Sequence, residues 1–250
     1  MFASVTGSSE SRHAARIGSA PFLFPEARTW PESGKPPSIT NDSASGLTTV
    51  EDTGADYASW ALTPSRDQAW STLTAYTKSE ALLRHALAVE ASTASYARRF
   101  GEDEELWRVA ALLHDFDYEI HPTLDKHPQD GAAILRAEGY PEVVIDAVLS
   151  HANHLELARD TPLKRSLFAC DELSGFVHAC GLVRPTGLEG LEPKSVKKKL
   201  KQPSFASGVS RDDVYEGAEL LELSLDEHIT NVITALQPIA GELGLRTEAA

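Results

Sequence analysis

The chain is poor in cysteine, with two residues among 250, and has a single methionine. If Cys170 and Cys180 share a helix, ten residues of rise hold them about 15 Å apart. The Cα limit for a disulfide is roughly 7 Å. A disulfide scaffold is therefore excluded, and two reduced, buried thiols are expected. Long apolar runs are also missing: none approaches the roughly 18 residues of a membrane span. No apolar stretch of secretory-signal length follows Met1-Phe2-Ala3-Ser4. A cytoplasmic location and no membrane partner are the expectation. Basic residues are scarce, 23 Lys and Arg against 37 Asp and Glu, for a net charge of −14. That balance argues against capture of duplex nucleic acid by the whole surface. Aromatics make up only 7 % of the chain, so the core must be built largely from the plentiful Leu, Ala and Val.

Strand-like alternation is lacking too, and what is present is helical. Residues 1–64 are rich in Ser, Thr, Gly and Pro without a sustained period, and read as a flexible extension. From residue 65 to 245 the pattern is that of an all-α domain, with a core at 79–180 and C-terminal helices at 194–243. Helices are expected at Arg66–Tyr76, Glu80–Phe100 and Asp103–His114. Leu83, Leu87 and Ala91 form an apolar stripe on the second, and Gly101 stops it. On the third, Leu106, Val109, Ala110 and Leu113 share a face, with Asp103 as N-cap. Further helices are expected at Pro128–Glu138, Pro141–Ala152 (Pro141 as its first residue), Pro162–Cys180, Lys194–Leu200, Ser210–Leu221 and Ser224–Leu243. Ser224 and Glu227 have capping-box spacing.

Histidines are concentrated. Six of the nine, His85, His114, His121, His127, His151 and His154, fall in one 70-residue window, more than twice an even share. His114-Asp115 ends an apolar helix, where the backbone leaves regular geometry and both side chains can turn to one point. Asp115 can offer one oxygen to each of two ions. His151 and His154, three apart, are placed on one helical face. Asp171 lies in an apolar helix, where a carboxylate is costly to bury unless paired or metal-bound. Imidazole and carboxylate together suit a divalent metal such as Mn, Fe, Co, Ni or Zn. His178 and His228 read as helix-surface or partly buried residues without metals.

The order His85, His114-Asp115, Asp171 resembles the signature of the HD-domain superfamily of metal-dependent phosphohydrolases. Lys126-His127-Pro128-Gln129-Asp130-Gly131, running on to Ile134-Leu135, looks like the His-Pro-x-x-Gly segment of its two-metal phosphodiesterases, and His151 like their next ligand. Two positions depart from that branch. Phe116-Asp117-Tyr118 replaces its Gly-Lys, and Ala152 stands where a second histidine would. The likeness is thus closer to compact bacterial HD hydrolases. It implies an HD-like helical bundle holding one or two divalent ions (Mn, Fe, Co, Ni, Zn or Mg) on His85, His114, Asp115, His127, His151 and Asp171. It further implies hydrolysis of a phosphomonoester or nucleotide-like phosphodiester by a metal-activated hydroxide. Asp115 would be catalytic, with His154, Lys126 or Asp117 assisting. Lys194, Lys197 and Lys198, with Arg184 and Arg211 as helpers, would clamp the phosphate of a small phosphorylated substrate. The same four histidines and two aspartates also resemble the di-iron oxygenases related to myo-inositol oxygenase. Some HD-related domains, finally, are non-catalytic signalling modules.

Overall fold

The computed structural model describes residues 64–245, and the expected extension at 1–64 lies, but for its last residue, outside the described residues. The fold class is all-α. In chain order the helices are α1 Arg66–Tyr76, α2 Glu80–Phe100, α3 Glu104–Leu113, α4 Gln129–Ala137, α5 Glu142–His151, α6 Pro162–Leu182, α7 Pro193–Leu200, α8 Arg211–Leu220 and α9 Leu225–Leu236, with 3-10 turns at Asn153–Leu155 and Gln237–Ile239.

Local chemistry explains the ends. Ser65 and Gln68 form a full capping box on α1. Asp103 accepts the N–H groups of Glu105 and Leu106, and Thr161 accepts that of Lys164 ahead of Pro162. Gly101 closes α2 at φ +71°, a conformation that costs glycine little. Pro141 is the N-cap of α5 rather than its first residue. The box at Ser224 forms by half: its hydroxyl accepts Glu227 N–H, while the Glu227 carboxylate pairs with Arg99 at 2.7 Å. Helix α9 stops at Leu236, short of Leu243, because Pro238 has no N–H for the ladder.

Two 21-residue helices, α2 and α6, lie side by side at the centre. Ser174 donates to Ser92 across their contact at 2.9 Å. From Ala86 to Ala97, α2 is buried around most of its girth, wider than one apolar stripe, because α3, α6 and α9 all pack on it. Small residues there allow close approach. Glu90, 3 % exposed, is bound by Arg66 of α1 at 2.5 Å and Arg108 of α3 at 3.1 Å. A buried carboxylate held this way ties three helices together, and removing either arginine would leave costly charge behind.

Helices α8 and α9 cover α6. A Cβ on Gly217 of α8 would come within 2.7 Å of the Ala169 Cα on α6. Gly217→Ala should therefore destabilise the fold by about 1–3 kcal/mol, read as a lowered denaturant midpoint. An unchanged midpoint would contradict this packing. His178 and His228 are wholly buried, not surface residues. His228 Nε2 donates to Ala169 O at 2.9 Å, its Nδ1 accepts from Tyr96 Oη at 2.6 Å, and His178 Nε2 donates to Leu243 O at 2.9 Å. Burial lowers both pKa values to about 4. Cys170 and Cys180 are buried free thiols. Among the described residues, no helix is long and apolar enough to cross a membrane.

Candidate metal centre

Helix α3 ends at Leu113, and the chain then closes a tight turn with Tyr118 N–H on Asp115 O at 3.0 Å. Two contacts fasten that turn to the start of α2. Thr77 Oγ1 donates to Phe116 O at 2.8 Å. The Glu119 carboxylate accepts the N–H groups of Lys78 and Ser79, just ahead of α2, at 2.7 and 3.1 Å. His85, on the second turn of α2, is thereby set against His114 and Asp115. Asp171 reaches the same point from α6.

The predicted ligands converge in two groups around one carboxylate. In the first, His85 Nε2 lies 3.0 Å from Asp171 Oδ1 and 3.6 Å from Asp115 Oδ2, and His114 Nε2 lies 3.4 Å from each of the same two oxygens. In the second, Asp115 Oδ1 is 3.2 Å from His127 Nε2 and 3.3 Å from His151 Nε2. Within each group the donor atoms all lie within 4.8 Å of one another, close enough to hold an ion.

The hydrogen bonds around the rings test whether a cation fits. His114 Nδ1 faces Ala111 O at 2.7 Å and His151 Nδ1 faces Val148 O at 2.5 Å. A carbonyl only accepts, so both Nδ1 atoms carry the proton. In the neutral rings Nε2 is then a bare lone pair. His127 has the same arrangement, with Nδ1 on Asp117 Oδ1 at 2.8 Å. Three bare nitrogens aimed at carboxylate oxygens repel unless a cation stands between them. At His114 and His127 the same carboxylates favour a proton on the ring. Burial opposes charge on His114, but Asp115 and Asp171 outweigh it and raise its pKa well above the usual value. Burial likewise opposes charge on His127, and Asp115 with Asp117 raises it to about 9. Desolvation opposes charge on the half-buried Asp115 and Asp171 as well, but His114 and the neighbouring imidazoles hold both below the ordinary carboxylate range. A divalent ion would take the protons' place and release them.

The other sequence-predicted residues fall differently. Helix α5 ends at His151, so His154 does not share its face. His154 sits exposed in the 3-10 turn, close enough that His127 and His151, after burial, lower its pKa. Lys126 is exposed on the turn before His127. The lysines of α7 lie elsewhere. Lys197 pairs with Asp226 at 2.6 Å, and Lys199 rests over Phe205 and near Cys180, nine residues, or about 13 Å of helix, beyond Asp171. Lys194 and Lys198 are exposed on the same helix. Arg184 is spent on Gly187 O and Glu189 O, and Arg211 on the carbonyls of Ala206 and Val209.

Two nearby groups carried no sequence signal. Glu172 follows Asp171 on α6. Burial, then Asp171 and Asp213, push its carboxyl well up. Arg159 donates Nε–H to Ser150 O at 2.9 Å and stacks 3.6 Å above Phe168, which pins the turn after His151. Its partners come together only in the folded chain.

Residues 82–175 match the family model described as HD domain, and the chain carries an HD domain over that stretch. Members of the HD superfamily are generally metal-dependent phosphohydrolases. A 98-residue segment, 38 % of the chain, is 33 % identical to Ribonuclease Y 2 of Levilactobacillus brevis. The chain spans 17 % of that relative's length. No solved structure matches significantly.

Proposed function

We propose that this protein is a divalent-metal-dependent phosphohydrolase acting on a phosphomonoester or a nucleotide-like phosphodiester. The observation that carries the reading is Asp115, whose two oxygens face two separate histidine groups. His85, His114, Asp115 and Asp171 would hold one ion, and Asp115, His127 and His151 a second. Bound there, such ions supply a water acidified to near neutrality and positive charge against the phosphoryl oxygens. The chain's own residues do the rest. Ala111 O, Val148 O and Asp117 fix which nitrogens face inward. Lys126 and His154, exposed near His127, would meet a substrate phosphate or protonate a leaving oxygen. The α7 lysines would at most meet distal parts of a substrate. The relative's name is that of a ribonuclease, which favours a phosphodiester with a nucleotide leaving group. We take 65–245 as the functional unit and the cytoplasm as its compartment.

The test is elemental analysis of purified protein, paired with a phosphate-release screen over nucleotides and generic phosphoesters with added Mn2+. Release that depends on Mn2+ and stops with chelator is the expected result. Oxygen consumption with iron and no phosphate release would favour the oxygenase reading. Metal-free protein that binds no ion would favour a signalling module.

A further inference from the structure

The two histidine groups are built with different security. His114 and His151 give their Nδ1 protons to carbonyls of their own helices, three residues back. Those partners cannot move without unwinding the helix. His127 lies before α4 and makes no such bond. Its Nδ1 faces the carboxylate of Asp117, at 2.8 Å. Asp117 is 0 % exposed, and its other oxygen is held by His121 Nδ1 at 3.1 Å. Helix α4 closes the space behind it: a Cβ on Gly131 would lie 2.5–2.7 Å from the Asp117 carboxyl atoms.

Taking the two-ion reading as its basis, the geometry points to Asp117 as the positioning residue of the second ion site, acting through His127. The carboxylate holds the ring so that Nε2 faces Asp115 Oδ1. It also lends negative charge to the imidazole, which makes that nitrogen a stronger donor. At the first site, among the described residues, no carboxylate is seen in this role, and His114 Nδ1 rests on a backbone carbonyl. The His85–His114–Asp115–Asp171 group should therefore be indifferent to Asp117, and only the second should depend on it. Gly131 belongs to the same device, since any larger residue would push the carboxylate off the ring. Helix α4 itself would tolerate Ala there, a better helix former than Gly.

The experiment is calorimetric titration of metal-free, full-length protein with Mn2+, resolving the first and second equivalents, for wild type, Asp117→Asn and Gly131→Ala. Asp117→Asn keeps the shape and removes the charge; Gly131→Ala keeps the charge and displaces it. Both variants should weaken the second equivalent by about 10–100-fold and leave the first within twofold, with wild-type far-UV circular dichroism. A merely structural role predicts instead that both equivalents weaken together as the helical signal falls, and that outcome overturns the assignment. Two equivalents bound with wild-type affinities in both variants also overturn it, while sparing the two-ion reading. Wild type that takes up one equivalent or none overturns the two-ion reading, and this assignment with it.

Discussion

Asp115→Ala should abolish turnover, by about 10^3-fold or more, equivalent to at least about 4 kcal/mol of barrier, and should take bound metal with it. Among the described residues no other side chain is shared by the two histidine groups, so its loss would remove a candidate ligand from both. His114→Ala should do nearly as much, because His114 is fully buried and meets both Asp115 and Asp171. Elemental analysis and turnover should fall in parallel while the far-UV spectrum stays helical. Full metal occupancy with full turnover in Asp115→Ala would overturn the site.

Acid should unfold the protein through two buried histidines outside the candidate ligand set. His178 and His228 are buried neutral, with pKa values near 4 in the folded chain against about 6.5 in the unfolded one. Between those limits the unfolded state binds more protons, so stability rises with pH. Their contribution is complete above about pH 6.5 and is lost as pH falls toward 4, up to about 3 kcal/mol for each residue. Glu172 and Asp213, pushed up mainly by burial, slope the other way in part of this window. His127, raised to about 9, gives the metal-free protein stability that is lost only between about pH 6.5 and 9. The histidine share is isolated by denaturant unfolding of His178→Gln and His228→Gln across pH 4–6.5. Each should flatten the wild-type slope by up to about 1.4 kcal/mol per pH unit. Parallel slopes in wild type and variants would refute the claim.

What the sequence disclosed and what it hid divide along a physical line. The helix limits were legible because they rest on neighbours a few residues away: Asp103 and Thr161 as caps, Gly101 as a stop. The six candidate ligands stood out because their residue types and order are unusual in a helical chain, and the fold brings them into two groups. Hidden were features made by elements distant in sequence. His154 was placed on the face of His151 because a three-residue spacing assumes an unbroken helix, and α5 ends at His151, three residues short of it. The lysines of α7 stood out in an acidic chain, yet Asp226 of α9 had already claimed Lys197. His178 and His228 resembled surface residues because Leu243 O and Ala169 O, their acceptors, lie 65 and 59 residues away. Pro238, by contrast, was visible all along and limits α9 by a local rule.

Gly217 has a mechanical corollary. With no side chain to cushion it, α8 rides backbone to backbone on α6 at Ala169, two residues before Asp171. Through Asp213 it also grips Asn153, and through Arg211 it gathers the carbonyls of the preceding loop. Stiff couplings of this kind make a lever. The loop at 202–209, α8 and α6 should therefore open to hydrogen exchange as one cooperative unit.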